Sequence, residues 1–326
     1  MNIFGPCAAE SEEQLLRIAQ RISRVSRASL TVFRAGVWKP RTSPETFQGV
    51  GDIGLKWLQR VKQEYHLPVA TEVSTPEQVQ KALAAGIDYL WLGARTSANP
   101  ILVQTIADEI EKGSPKGILI KNPVNEDAAL WIGNIKRLTA NGQRPIYAVH
   151  RGCNHKPCWA MAYQLRKQLP EIPLLLDPSH MSGDASKVSG LCRDASELQY
   201  DGLMIEVHDC PQEALSDARQ QITPEQLETI LESKKQKAES PLDLLWLRKM
   251  MDEVDDALWE TIVKRMAVSR QIGEYKKTNG IEVVQPTRFE EIMTKRLAWA
   301  KKHNLSEDAV RELMETLHRE SIRQQQ

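Results

Sequence analysis

Along the first 225 or so residues, short β-branched runs end repeatedly in a side chain that can carry charge or bind a metal. These are Cys7, then Arg34 with Lys39 and Arg41, Glu72, Arg95, Lys121, Arg151, Asp177 with His180, and Glu206 with Asp217. Cys7, His180, Glu206 and Asp217 offer a thiolate, an imidazole and two carboxylates. That mixed donor set suits one divalent ion of the Mn, Fe, Co or Zn class better than Ca or Mg. The basic residues would repel one another on a shared face unless an anionic ligand compensates, as phosphate and carboxylate do with bidentate geometry. Singly, each cation would suit a surface ion pair and Cys7 an apolar core. Together at strand ends, and with the first and last strands adjacent where a barrel closes, they point to one site. A second metal pattern, His150, Cys153, His155 and Cys158, is set aside because zinc loops separate their ligand pairs by a longer stretch. Those residues are expected to line or support the loop after the sixth run.

The elements that must position these groups are legible from periodicity. The runs NIFGPC, SLTVFRAG, LPVATEV, IDYLWLGA, GILIKNP, PIYAVHRG, PLLLDPSH and DGLMIEVH alternate with amphipathic stretches such as SEEQLLRIAQRIS, TPEQVQKALAAG and KPCWAMAYQLRKQL. Several of these stretches open with an N-cap residue. The repeats predict an α/β fold, a (β/α)8 TIM barrel with its site at the carboxyl ends of the strands. No glycine-rich dinucleotide fingerprint follows the first strand, which weakens an open doubly wound sheet. The polar stretch SKKQKAES and the purely helical period after Pro241 predict a barrel over 1–232, a linker over 233–241 and a small all-α domain over 242–326.

Composition narrows the partners. Lys+Arg and Asp+Glu balance at 43 each, so no global field exists to hold a nucleic acid or an anionic membrane. The 5 cysteines are an odd number in a chain large enough to fold without staples, which fits a reducing cytoplasm. The N-terminus has no basic leader region, and no apolar stretch approaches membrane-spanning length. A soluble, cytoplasmic protein acting on small molecules is expected.

GPCAAES, FRAGVWKPRTSPETFQG, LGAR, ILIK, HRG, LLLDPSH and GLMIEVH followed by ALSDARQQ resemble, in order, the motifs of 3-deoxy-D-arabino-heptulosonate 7-phosphate synthases of the type I beta group, across the whole barrel. The resemblance implies that Cys7, His180, Glu206 and Asp217 hold the metal, and that Arg95, Lys121 and Arg151 grip phosphoenolpyruvate with Lys39 near its carboxylate. Arg41 and Thr42 would bind the phosphate of erythrose 4-phosphate, Arg34 would support the site, and Lys39 and Asp177 count as catalytic. In that chemistry C3 of phosphoenolpyruvate attacks the aldehyde, water adds at C2 and phosphate leaves. The related octulosonate 8-phosphate synthases carry Asn where this chain has Pro40, which favours erythrose 4-phosphate. His150 stands where an acidic residue is expected and is left unassigned.

The tail begins with apolar positions Leu244, Leu247, Met251, Val254, Leu258 and Ile262 at helical spacing. They predict a helix to about residue 278, about 55 Å long, too long for a small domain to bury alone. A homodimer through the tail is therefore expected. Arg265, Ser269, Ile272 and Lys276 continue the stripe with cations, where a solvated or snorkelling face would be the ordinary fate. LRKMMDEVDDALWETIVKRMAVSRQIGEYK, QPTRFEEI and ESIRQQQ resemble the all-helical class of chorismate mutases. That resemblance implies a pocket of Arg265, Lys276, Arg288, Ser321 and Gln325, with Arg248 from the partner subunit. Within it Arg265, Lys276 and Gln325 would be catalytic, and no cofactor is needed. Two positions depart: Gln285 where an acid is often found, and Phe289 where the family commonly has a glutamate that contacts the substrate hydroxyl.

The combined expectation is a bifunctional shikimate-route enzyme that takes phosphoenolpyruvate, erythrose 4-phosphate and chorismate and releases prephenate. Two alternatives stay open: a synthase whose tail serves only for dimerisation and feedback sensing, and an octulosonate synthase barrel. Because Cys7 already ends the first strand, no N-terminal regulatory extension is expected. Feedback would then act through the mutase pocket, with prephenate the effector.

Overall fold

The computed structural model describes every residue except 26–29, 41–42, 114, 141–144, 234–239 and 326. Arg41, Thr42 and most of the expected linker therefore lie outside the described residues. Parallel strands form a closed barrel in sequence order. They are β1 (Asn2–Gly5), β2 (Thr31–Arg34), β3 (Val69–Glu72), β4 (Tyr89–Leu92), β5 (Gly117–Lys121), β6 (Ile146–His150), β7 (Leu174–Leu176) and β8 (Gly202–Glu206). β1 pairs with both β2 and β8, with Gly5 opposite Glu206.

The pleat decides which side chains meet. Ile3, Val32, Ala70, Tyr89, Trp91, Leu119, Val149, Leu175 and Met204 pack together as the barrel interior. Their strand neighbours Phe4, Phe33, Leu90, Ile118, Ala148, Leu174 and Ile205 pack outward against the helices. Side chains alternate with period two. The residue two beyond each interior position is therefore aimed at the same axis, and those residues include Gly5, Arg34, Glu72, Lys121, Arg151, Asp177 and Glu206. Gly5 is required where it stands: its φ is +147°, and a Cβ there would lie 2.1 Å from the Arg34 carbonyl oxygen. The barrel helices start on local caps, as where Thr75 accepts from the Gln78 N–H and Thr223 with Gln226 forms a capping box.

Three helices follow the barrel: Leu242–Thr278, Pro286–Lys302 and Glu307–Gln325. The chain divides into compact units Met1–Met250 and Met251–Gln326, so the first two turns of the long helix belong with the barrel. Trp246 is the reason. It is 1% exposed and packs on Trp159, Tyr163 and Tyr200 with ring centroids 5.6–6.1 Å apart. Met251, Val254 and Leu258 of the expected stripe are exposed in the single chain. In the second unit, Gly273 lets the last turn of Glu307–Gln325 come close, since a Cβ there would lie 2.7 Å from the Gln325 Cα. No described helix is long and apolar enough to cross a membrane.

Candidate active site

The strand ends converge on the expected donor set. Ligand atoms of Cys7, Glu206 and Asp217 lie within 4.8 Å of one another, the one such group of metal-capable side chains among the described residues. His180 joins them, its Nε2 3.5 Å from Glu206 Oε1. Its Nδ1 faces Asp177 at 2.9 Å, the arrangement that holds a ligating imidazole with its other nitrogen forward. Asp177 also caps its own short helix by accepting the His180 backbone N–H at 3.0 Å. Glu206 accepts from Arg34 Nη2 at 3.1 Å and Gln220 Nε2 at 2.7 Å. Asp217 reaches Cys7 Sγ at 3.0 Å from a left-handed backbone, φ 51°.

The electrostatics of these residues fit a cation. Burial, then Glu206 and Asp217, push the Cys7 thiol well up. A thiolate among carboxylates therefore needs positive charge beside it, which a divalent ion supplies. Lys39 already contributes some, donating to Cys7 Sγ at 3.1 Å and to its carbonyl at 3.2 Å. Burial opposes the Lys39 ammonium, but Cys7, Glu72 and Glu206 outweigh it and raise its pKa. Burial likewise opposes the Glu206 carboxylate, yet His180 and Arg34 hold it below the ordinary value.

Beside the donors lies a cavity of about 250 Å³, lined by Lys39, Pro40, Glu72, Arg95, Lys121, Arg151, His155, His180, Asp217 and Gln220. Lys121 Nζ donates to Asp177 Oδ2 at 2.7 Å. Burial would raise the Asp177 pKa, but His180 and Lys121 keep it well below the usual range. Arg151 is positioned by its backbone N–H, which Asn122 Oδ1 accepts at 2.7 Å. Burial lowers the Arg151 pKa, and the nearby Asp177 carboxylate does not fully offset it. Arg34 sits over the Trp91 ring at 4.7 Å, and its buried Nε and Nη1 have no hydrogen-bond partner among the described residues. The cavity can therefore take a substrate carrying several negative charges.

His150, Cys153, His155 and Cys158 do not assemble. His150 follows the outward-facing Ala148 by two, so the pleat turns it to the helices. Its Nδ1 lies 2.8 Å from the Tyr200 hydroxyl, and burial pushes it down to about 3. His155 lines the cavity, while Cys153 Sγ lies 3.6 Å from Met161 Sδ. Gln220, Gln221 and Asn122 escaped the sequence reading. Gln221 Oε1 accepts the Cys7 N–H at 3.0 Å, but an amide beside a ligand loop carries no charge signal that a sequence would flag.

In the helical unit, Arg265 donates to the Leu317 carbonyl at 3.0 Å and to the Ser321 hydroxyl, and burial lowers its pKa. Ser269, Lys276 and Ser321 are buried, and Lys276 Nζ donates to the Val283 carbonyl at 2.7 Å. The Gln325 Oε1 is buried without a hydrogen-bond partner among the described residues. The cations of the stripe thus turn inward, Arg265 to the third helix and Lys276 to the Val283 carbonyl, and not into solvent. Arg288 is exposed and paired with Glu291 at 2.9 Å. Arg248 falls within the first unit and donates to Ser240 at 3.3 Å. A hollow of about 370 Å³ borders Lys276 and Gln285, walled by the exposed Val268, Ile272, Tyr275 and Ile281.

The profile of the DAHP synthetase I family matches residues 1–242, and that of chorismate mutase type II matches 247–326. The phospho-2-dehydro-3-deoxyheptonate aldolase of Thermotoga maritima is 29% identical over 73% of this chain and 70% of its own length. The 2-dehydro-3-deoxyphosphooctonate aldolase of Desulfatibacillum aliphaticivorans is 31% identical over 70% of this chain and 88% of its own. A crystal structure of the Thermotoga maritima aldolase superposes with a TM-score of 0.63 at 26% identity, covering 79% of this chain and 70% of that one.

Proposed function

The chain belongs to the DAHP synthetase I family through residues 1–242 and carries a chorismate mutase type II domain in residues 247–326; from that premise we propose that the barrel condenses phosphoenolpyruvate with D-erythrose 4-phosphate and that the tail rearranges chorismate to prephenate. The observation that supports the synthase half is one cavity in which the donors His180 and Asp217, next to Cys7 and Glu206, adjoin Lys39, Arg95, Lys121 and Arg151. A divalent ion of the Mn, Fe, Co or Zn class held by Cys7, His180, Glu206 and Asp217 would polarise the aldehyde oxygen as a Lewis acid.

The protein's own groups do the rest. Arg95, Lys121 and Arg151 bind the phosphate and carboxylate of phosphoenolpyruvate, and Arg151 gains negative charge beyond that of Asp177 to offset the burial of its guanidinium. Asp177 holds Lys121 and His180 at fixed distances, so both enter the reaction already oriented. Lys39 carries positive charge near the phosphoenolpyruvate carboxylate, Arg34 steadies Glu206, and Arg41 with Thr42 takes the aldose phosphate. In the tail, Arg265 and Arg288 clamp carboxylates. Ser321 fixes Arg265, and Lys276 with Gln325 meets the charge that develops on the ether oxygen.

Relatives of both acceptor classes are similar to this chain, so the acceptor rests on Pro40, which lines the cavity beside Lys39. The test compares erythrose 4-phosphate with arabinose 5-phosphate on one preparation, with chorismate assayed alongside. Preferential turnover of arabinose 5-phosphate would overturn the choice of acceptor. The exposed Met251, Val254 and Leu258 support a homodimer through the tail, in which Arg248 of each chain serves the other's pocket. Phe289, stacked on His318, favours a second reading in which the tail senses prephenate and inhibits the synthase without catalysing. A chain that is inhibited by prephenate and leaves chorismate unconverted would establish it.

A further inference from the structure

One titratable side chain stands among the tail cations without a role in the reaction described above. His318 lies on Glu307–Gln325 between Leu317, whose carbonyl accepts from Arg265 at 3.0 Å, and Ser321, whose hydroxyl also receives Arg265. Its ring stacks on Phe289 with centroids 4.0 Å apart and planes within 16°. Face-to-face stacking leaves the ring edge, with both nitrogens, clear of the phenyl group. Neither nitrogen has a hydrogen-bond partner among the described residues.

We propose that His318 is a substrate-binding residue of the mutase site, presenting a ring nitrogen to a polar oxygen of the bound dicarboxylate beside Phe289, which offers no hydrogen bond. The proposal rests on reading the tail as a mutase. The charged groups facing His318 are Arg265 and Lys276 of the long helix. Phe289 faces it from Pro286–Lys302, where Arg288 is taken up by Glu291. On its own helix Glu315, one turn back, and Arg319, next in sequence, are exposed, and Glu320 is half-buried. Burial, then Arg265 and Lys276, hold His318 below the ordinary histidine value, so the free protein carries a neutral imidazole that can both donate and accept. A dicarboxylate bound across the two cations offsets their repulsion and raises the His318 pKa. Binding then takes up a proton, and affinity rises as pH falls through the histidine range.

The experiment uses the full-length chain. Chorismate kcat/KM is measured for wild type, His318→Ala, His318→Phe, which keeps the stack, and His318→Asn, which keeps a donor and an acceptor. His318 is also titrated by NMR with and without saturating prephenate. Expected are losses of about tenfold for His318→Ala and His318→Phe, the size of one hydrogen bond, seen chiefly in KM. Partial recovery in His318→Asn, an unchanged synthase rate and a raised His318 pKa with prephenate complete the pattern. Activities within twofold of an active wild type, together with a pKa that prephenate leaves unmoved, overturn the role of His318 alone. A wild type that converts no chorismate overturns the mutase reading instead. The prephenate titration then decides His318: a raised pKa supports it, and an unmoved one overturns it.

Discussion

The barrel mouth and the helical tail reach a cationic site by opposite routes. In the barrel, Arg34, Lys39, Lys121, Asp177 and Glu206 are all buried, and each is held by a neighbour from another strand or its loop. In the tail, Arg288 is exposed and Arg248 falls in the other unit, while Met251, Val254, Leu258 and Ile272 are left open. A closed sheet aims residues at its axis through the backbone alone, whereas a long helix brings only one face to any neighbour. The barrel cluster is therefore pre-organised within one chain, and on the proposed reading the tail site is completed by what packs against it.

The sharpest way to break this contrast is to remove the proposed metal. A chelator should lower synthase turnover by roughly a thousandfold, the several kcal/mol that a Lewis acid supplies, and leave chorismate turnover unchanged. Cys7→Ala should follow the chelator. Parallel assays on one preparation check both, and equal loss of the two activities would remove the separation between the sites. Lys276→Ala should reduce chorismate turnover by about a hundredfold, as loss of a group acting on developing charge does. Sedimentation should find the proposed dimer in wild type and variant alike, and the synthase rate should hold; dissociation on substitution would make Lys276 a packing residue.

Trp246→Ala tests where one unit ends. Trp246 lies in tail-like sequence but belongs to the barrel core, so the variant should destabilise the synthase unit by about 3–5 kcal/mol, measured by denaturant unfolding at Tyr200 or Trp159. Unfolding of the helical unit alone would place Trp246 with the tail. The smallest effect is expected at Asp88, just before β4 at the end of the barrel opposite its mouth. Burial opposes its carboxylate, but Lys116, Lys62 and the Val69 N–H win and lower its pKa, with contacts of 2.9–3.1 Å. A depressed pKa contributes stability above the unfolded value and loses it as pH falls through the folded one. Asp88→Asn should therefore cost about 1–2 kcal/mol near pH 7 and less below about pH 4; a difference independent of pH would show that charge is not its contribution.

The sequence alone determined what a period can encode. Eight strands are visible as short apolar runs, mostly rich in Val, Ile and Leu, because burial on both faces of a parallel strand demands them. Cys7, Lys121, Asp177 and Glu206 are legible because each terminates such a run. Which way they point waited for the fold: with Leu119 and Met204 inside the barrel and Ala148 outside, period two sends Lys121 and Glu206 inward and His150 outward. Tertiary structure decided what depends on residues far apart in the chain. Gln221 on the Cys7 N–H, Asn122 on the Arg151 N–H, Trp246 on Tyr200, and Phe289 on His318 are contacts made by neutral side chains and brought about only by closure of the barrel or docking of a helix. Gly273 is glycine because the last turn of another helix approaches it. Such residues follow no local rule, since their identity is set by the shape and polarity of a distant partner, and only the folded chain puts that partner beside them.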